Sequence, residues 1–263
     1  MVIVITGIIG SMVAVFIRAP VEGYIDSVAR AELTDAADTS LRRITRDVRS
    51  ALPNSLRTTT GVSTACFEFL PTVGGGRYRI APKSDGSGNI LDFSTADTTF
   101  DVLGSTNLPP PGGYATTYHA VIYNLGIPLA SAYNAADHNR AAIAAASTAT
   151  AITLTAANQF PLQSPGNRFH VIPDFSVVYS CAGGALLRST RTLAAAATQL
   201  ATCPVAGTTL VGNVDCANSS FTYVPFASQR SGLLTMTLVL TQPGARGAET
   251  IRLYQEVHVD NVP

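Results

Sequence analysis

The chain of 263 residues carries 17 basic and 17 acidic side chains, so its formal net charge is zero. A zero net charge provides no field that would favour nucleic acid or an anionic surface, and no nucleic-acid partner is expected. Charged residues make up only 13% of the chain, which is about half of their usual share in soluble domains.

The chain starts with an apolar run of seventeen residues that ends at Arg18, the first charged residue. Its only polar side chains, Thr6 and Ser11, can bond to carbonyls of their own helix. As a helix the run would be about 25 Å long, the low end for crossing a bilayer core of about 30 Å. A signal peptide would begin with basic residues, and a helix that is apolar on all sides is usually a membrane span rather than a core helix. The run therefore predicts a membrane-spanning helix.

A second helical pattern follows Pro20, which is expected to kink the helix. Apolar residues then recur at steps of three and four, which places them on one face of a helix, and charged residues occupy the opposite face. Asp38 and Arg42 are spaced for an i,i+4 ion pair. The apolar stripe consists of Val21, Ile25, Val28, Ala29, Leu33, Ala36, Ala37, Leu41, Ile44, Val48 and Leu52.

The helix is predicted to stop at Pro53-Asn54-Ser55, and short β-type runs between turn residues follow it. The chain therefore divides into a helix over residues 1–52 and a globular domain over residues 53–263. A helix followed by antiparallel strands is typical of an α+β fold. The predicted strands are residues 65–70, 77–81, 90–93, 120–125, 169–172, 176–181, 185–189, 220–224, 233–241 and 250–259, of which the last two are expected to form a hairpin.

Three further stretches of the domain are less regular in sequence. Gly74-Gly75-Gly76 is predicted to be a hairpin turn, because it lacks the lysine and the following helix of a phosphate-binding loop. Residues 104–118 and 194–218 are predicted to be long loops. The Ala/Thr-rich stretch 141–157 is compatible with either a short helix or a strand.

The four cysteines are Cys66, Cys181, Cys203 and Cys216. Their wide spacing without a C-x-x-C pair argues against zinc and favours disulfides in an oxidising compartment. Three pairings are possible. The short loop between Cys203 and Cys216 favours that pair, which would leave Cys66 to bond with Cys181.

The sequence shows no motif of an enzyme or of a cofactor site. The histidines His119, His138, His170 and His258 fit no metal-binding spacing, and no nucleophile elbow of the G-x-S-x-G type is present. No catalytic residue and no cofactor are therefore predicted.

One segment offers a weak calcium candidate. Asp85, Ser87, Asn89 and Asp92 carry oxygen ligands at about the spacing of a calcium loop, but Ile90 stands where the loop needs glycine. A plain Asp-Gly turn is the favoured interpretation.

Two segments, VIVITGIIGSMVAVFIRAPVEGY at 2–24 and RAELTDAADTSLRRITRDVRSALPNS at 30–55, resemble the prepilin family. The closest resemblance is to minor pilins of mannose-sensitive haemagglutinin (MSHA) biogenesis, of the MshO type. The segments that carry the closer resemblance are FEFLPTVGGGRYR at 67–79, SPGNRFHV at 164–171, VVYSC at 177–181 and RLYQEVHVDNVP at 252–263.

The resemblance implies a minor subunit of a type IV pilus, held in the bacterial inner membrane by a single pass with its C-terminal domain in the periplasm. It would be extracted into the filament, which it would help to initiate or cap. Its implied partners are membrane lipid, other pilins through the N-terminal helix, and the pilus assembly platform. Gly7 and Gly10 would permit close helix approach and local unwinding, although glycine is also simply tolerated in membrane helices.

The sequence departs from the family at its start. Family precursors carry a short basic leader that is cut before a Phe-Thr-Leu-x-Glu stretch, and neither can be placed on residues of this chain. Prepilin peptidase is therefore a partner only if upstream codons supply the leader. We expect a chain that starts at Met1 to be a poor assembly substrate, and the restored upstream codons to restore processing.

Other functions compete with a pilus subunit. The same architecture fits a minor pseudopilin of a type II secretion system. A tip adhesin that binds glycans or surfaces is another hypothesis, with Tyr114, Tyr118 and Tyr123 as its contacts. A membrane-tethered periplasmic enzyme has no supporting motif.

Overall fold

A computed structural model describes residues 2–59, 65–108, 113–114, 117–225, 231–245 and 247–263. In these residues one long helix, α1 (Val2–Arg49), is followed by antiparallel β-sheets, which confirms the predicted α+β fold. A 3-10 helix (Ala135–Asp137) lies between β5 and β6. The strands are β1 (Arg57–Thr58), β2 (Cys66–Phe69), β3 (Gly74–Tyr78), β4 (Asp97–Thr106), β5 (Tyr118–Ile122), β6 (Arg140–Ala142), β7 (Ala151–Asn158), β8 (Arg168–Pro173), β9 (Phe175–Ala182), β10 (Ala185–Thr192), β11 (Thr208–Val211), β12 (Ser220–Val224), β13 (Ser231–Pro243) and β14 (Ala248–Asp260).

Helix α1 continues through Pro20 and ends at Arg49 rather than at the predicted Leu52. It ends early because the next residues pair with the segment after β2. The Leu52 amide donates to the Leu70 carbonyl at 2.7 Å, and the Thr72 amide donates to the Ser50 carbonyl at 2.8 Å. A backbone that bonds across to another segment cannot also continue the helical ladder.

The first core lies between the second half of α1 and two sheets. One sheet has the strand order β1-β2-β9-β10-β11, and the other has the order β12-β13-β14. The buried helix stripe packs against inward-facing residues of both, including Phe67, Tyr179 and Phe221. The Phe67 ring lies 5.3 Å from Tyr179 and 5.1 Å from Phe221, as ring centroids. The predicted C-terminal hairpin is confirmed as β13 and β14, whose last paired residues before the turn are Pro243 and Ala248.

The second core lies inside a six-stranded sheet with the order β6-β5-β8-β3-β4-β7. A bridge between Ile143 and Leu154 brings the two edges of this sheet together, so the sheet closes around residues such as Phe100 and Phe169. A third, smaller cluster includes Leu52, and it connects the end of the helix to the outer face of the six-stranded sheet.

Two of the predicted elements of this region are wrong. Gly74-Gly75-Gly76 lies in β3 and is not a turn. Glycine is needed at Gly75 because a Cβ there would lie 2.7 Å from the Phe169 carbonyl oxygen of β8. Residues 90–93 form no strand, although Leu91 is buried in the second core and its amide donates to the Arg79 carbonyl. The undecided stretch 141–157 forms strands, chiefly β7.

The two disulfides join Cys66 to Cys203 and Cys181 to Cys216, with Cα atoms 5.6 Å and 5.4 Å apart. The predicted pairs, Cys203 with Cys216 and Cys66 with Cys181, are therefore wrong. The reason is strand register: Cys66 on β2 stands opposite Ser180 on β9, so the adjacent Cys181 points to the other face of the sheet. The disulfide of Cys66 therefore lies on one face of this sheet, and the disulfide of Cys181 lies on the opposite face.

Four buried tyrosines are expected to make the folded state less stable at high pH. Burial raises the pKa of Tyr78 and of Tyr114 to about 12, and it also raises the pKa of Tyr133 and of Tyr179. Tyrosine in the unfolded chain ionises near a pKa of about 10. The stabilisation by neutral, buried tyrosine is therefore complete below about pH 10 and is lost as the pH rises towards about 12.

We expect the free energy of unfolding to fall above about pH 10, with a limiting slope of about 1.4 kcal/mol per pH unit for each such tyrosine. Urea unfolding of the chain in nonionic micelles at increasing pH measures that slope. Tyr78→Phe should make the slope shallower by one such contribution. A stability that stays level up to about pH 12 would contradict the prediction.

Candidate functional site

Helix α1 changes its environment at Ala29, the first residue of its stripe to be buried. Before Ala29, the described large apolar side chains are exposed, from 36% of the Val28 surface to 86% of the Ile3 surface. We call residues 2–28 the protruding segment; at about 1.5 Å per residue it is about 40 Å long. Its large apolar residues with exposed side chains are Val2, Ile3, Val4, Ile5, Met12, Val13, Phe16, Ile17, Val21, Tyr24, Ile25 and Val28.

The first part of the protruding segment, up to Ile17, is uncharged. The helix is long and apolar enough to span a membrane once, and the residues of its most apolar window are not buried inside the fold. A helix that the chain does not cover itself needs another apolar environment, since exposure of this much apolar surface to water is unfavourable. The alternative of a buried core helix does not describe this segment.

The second part of the protruding segment, from Arg18 to Val28, is amphipathic. Val21, Ile25 and Val28 were predicted to belong to the core-facing stripe, and they do continue the line of buried residues that starts at Ala29. They are exposed nevertheless, because the β-sheets that follow α1 in the chain (here called the β-domain) cover the helix only from Ala29 onwards. The Arg18 Nε atom lies 2.8 Å from the Glu22 carboxylate, so this part also carries charge. A stripe of this kind suits a neighbouring helix better than lipid on all sides.

The boundary of the protruding segment is held by the tip of the β13–β14 hairpin. Arg30 forms an ion pair with Glu249 at 2.7 Å. The Ala245 amide donates to the Asp26 carboxylate at 2.7 Å. Gly244 allows this approach, since a Cβ there would lie 2.9 Å from the Asp26 Oδ1 atom. The hairpin therefore contacts the helix where the helix leaves the domain.

The helix residues singled out in the sequence all lie in the protruding segment. The Thr6 hydroxyl bonds to the carbonyls of Val2 and Ile3, at 3.0 Å each, so its polarity is satisfied within the helix. A Cβ at Gly7 or Gly10 would meet no described atom within 4 Å, so no contact within this chain requires glycine there. Their part in close helix packing, with Pro20 further along the helix, stays a prediction.

Family models, curated proteins and solved structures were compared with the chain, and none matched.

The weak calcium candidate consists of side chains that serve their own turns. The Asp85 carboxylate accepts hydrogen bonds from the amide and hydroxyl of Ser87, which lower its pKa. Asp92 accepts hydrogen bonds from Ser94 and Thr95, which lower its pKa to about 2. The Asn89 side-chain amide donates to the Thr99 carbonyl. The Asp-Gly turn is present, closed by the Lys83 amide donating to the Ser87 carbonyl, and calcium binding stays a prediction.

The tyrosines suggested as glycan contacts do not form an exposed platform. Tyr114 is buried, and Tyr118 and Tyr123 are half-buried against the second core. Within the described part of the chain no group of three or more histidine, cysteine, aspartate or glutamate side chains could hold a metal ion. The protruding segment is therefore the strongest candidate for a functional site.

Proposed function

We propose that this chain is a minor, pilin-like subunit of a type IV pilus assembly system, of the MSHA type, and that it acts structurally rather than as an enzyme. The observation that carries the proposal is the protruding segment: an exposed apolar helix about 40 Å long that continues into a helix packed on a disulfide-bonded β-domain. The subunit helps to initiate or cap the filament.

We propose that the protruding segment occupies two apolar environments, first the inner membrane and then the filament. In the inner membrane, lipid surrounds residues 2–17 and the β-domain lies in the periplasm, where disulfides persist. In the filament, helices of neighbouring pilins replace the lipid. This exchange costs little hydrophobic free energy, because lipid tails and apolar side chains are similar environments. The exposed stripe of Val21, Ile25 and Val28 supports helix neighbours in particular.

Photo-crosslinking tests the two environments. A photo-reactive phenylalanine analogue is placed at Phe16, at Ile25, or at Thr39, an exposed position on the packed half of α1 that serves as the control. The gene, with its upstream codons, is expressed in its pilus-forming host. We expect Phe16 to crosslink to lipid before assembly and to other pilins afterwards, Ile25 to crosslink to pilins, and Thr39 to give at least about tenfold less product. Equal yields at all three positions, or a full-length chain that stays in the aqueous fraction, would refute the proposal.

Deletion of the gene distinguishes the function of a pilus subunit from the alternative function of a minor pseudopilin in type II secretion. Loss of surface pili with normal export of proteins supports the pilus subunit. Loss of protein export with intact pili supports the pseudopilin. The prepilin peptidase and the pilus assembly platform are proposed partners in the first case.

A further inference from the structure

A groove of about 450 Å³ lies on the outer face of the six-stranded sheet, next to the end of α1. Its walls come from β3 and β8, from Gly104 on β4 and from Ser50 and Thr72 beside the helix end. The groove is remote in sequence from the protruding segment, and neither the membrane helix nor the filament contacts proposed above account for it. Its volume lies within the range of small-molecule sites, about 300–1,000 Å³.

Two arginines face each other in this groove. Arg77 on β3 and Arg168 on β8 stand directly opposite in the antiparallel register, and both are exposed. Directly opposed like charges destabilise a sheet. Among the described residues neither arginine forms an ion pair, whereas Arg79, the residue after β3, pairs with Asp101 at 2.9 Å. The two arginines therefore present positive charges that no described carboxylate neutralises in an ion pair.

A third polar group lies beside the arginines. His170 follows Arg168 by two residues on β8 and so lies on the same face of the sheet. Its Nε2 atom is buried and has no hydrogen-bond partner among the described residues. Burial, with a further effect of Arg168, lowers the pKa of His170 to about 4, although Asp260 acts in the opposite direction. The ring is therefore neutral at pH 7 and adds no charge to the groove.

Four glycines are among the residues that line the groove, Gly74, Gly75 and Gly76 on β3 and Gly104 on β4. The β3–β4 ladder shifts register between Gly75 and Arg77, which marks a bulge, and bulges re-aim neighbouring side chains. A Cβ at Gly104 would meet nothing within 4 Å, so space remains above the backbone there. No carboxylate is among the described residues that line the groove. A ligand with negative charge would therefore meet no carboxylate among these lining residues, although Asp260 lies near enough to act on His170.

We propose that this groove binds a phosphate or sulfate ester of a small polar molecule such as a sugar, with the Arg77 and Arg168 guanidinium groups on the oxyanion and the uncharged His170 ring beside them. Planar guanidinium groups match the oxygen geometry of phosphate and sulfate, and their charge-assisted hydrogen bonds are strong. A phosphate monoester carries close to two negative charges at pH 7, which two arginines neutralise. The groove is larger than a phosphate ion, so the rest of it accommodates the organic part.

Titration calorimetry of the full chain in nonionic micelles tests the site, with inorganic phosphate, glucose 6-phosphate and glucose as probes. We expect glucose 6-phosphate to bind, inorganic phosphate to bind more weakly, and glucose to give no signal. If inorganic phosphate binds as tightly as the ester, the free ion is the ligand and the organic part of the proposal is wrong. No binding of either phosphate at millimolar concentration overturns the site.

Charge-matched variants show whether the two arginines carry the binding. Arg77→Gln and Arg168→Gln should each weaken glucose 6-phosphate binding by about tenfold or more, because each loses charge-assisted hydrogen bonds. Arg43→Gln removes the same charge from an exposed position of α1 and should leave the affinity unchanged. Without ligand, both groove variants should melt at the same temperature as the wild type or higher, since the opposed charges are relieved. Equal weakening by Arg43→Gln would show unspecific charge attraction and overturn the proposal.

Discussion

Replacement of Glu68 by alanine is expected to lower the free energy of unfolding by about 3 kcal/mol, because it breaks a buried ion-pair network. Glu68 is 1% exposed and lies on β2, on the face of the five-stranded sheet away from α1. Its carboxylate contacts Arg57 at 2.8 Å and Arg191 at 3.4 Å, and it accepts a hydrogen bond from the Ser176 hydroxyl. Without the Glu68 carboxylate, the guanidinium groups of Arg57 and Arg191 lose the negative charge that they contact.

The size of this effect depends on how well the arginines can be hydrated afterwards. Removal of one partner of a buried pair typically costs about 3–5 kcal/mol. The Arg57 and Arg191 side chains are 18% and 34% exposed, so water can reach them in part. Arg57 also keeps its contact with the face of the Tyr133 ring, 3.4 Å from the ring centroid. These contacts place the expected loss at the low end of that range.

An exposed ion pair provides the matched control for Glu68. Asp38 and Arg42 form an i,i+4 pair at 2.6 Å on the solvent side of α1, with 42% and 75% of their side chains exposed. Asp38→Ala should cost less than about 0.5 kcal/mol. Urea unfolding in nonionic micelles, followed by tyrosine fluorescence since the chain has no tryptophan, measures both variants. Equal losses for Glu68→Ala and Asp38→Ala would show that burial of the network contributes nothing.

Removal of the Cys66–Cys203 disulfide, by alanine at both positions, is expected to lower the free energy of unfolding by about 5 kcal/mol, the chain-entropy value for a long loop. The two cysteines are 137 residues apart in sequence, whereas Cys181 and Cys216 are 35 residues apart. The same relation gives about 4 kcal/mol for the shorter loop. The first double variant should therefore be the less stable of the two.

Unreduced peptide mapping is the direct control for that experiment. The wild-type chain should yield one peptide pair that contains Cys66 and Cys203 and another that contains Cys181 and Cys216. A linked peptide with both Cys203 and Cys216 would restore the pairing predicted from loop length. A larger loss of stability for the Cys181/Cys216 variant would show that contacts in the first core, rather than loop entropy, dominate the effect.

The β-structure could be predicted where the strands are apolar or β-branched. Strands β9, β12, β13 and β14 lie where alternating or continuous apolar residues predicted them. Strand β4 was missed and β7 was left undecided between helix and strand, because aspartate, glycine, alanine and asparagine, which are depleted in strands, interrupt their threonine and apolar residues. Pairing with neighbours in the six-stranded sheet decides their conformation, and that pairing is not visible in any local window.

Local sequence by itself determined the helix of this protein and the apolar character of its first seventeen residues, because helical periodicity and hydrophobicity are properties of neighbouring residues. Tertiary structure alone decided where the β-domain stops covering that helix, which cysteines meet, and that Arg77 stands opposite Arg168. These outcomes depend on strand register across many residues of separation, where a shift of one residue moves every side chain to the other face of the sheet.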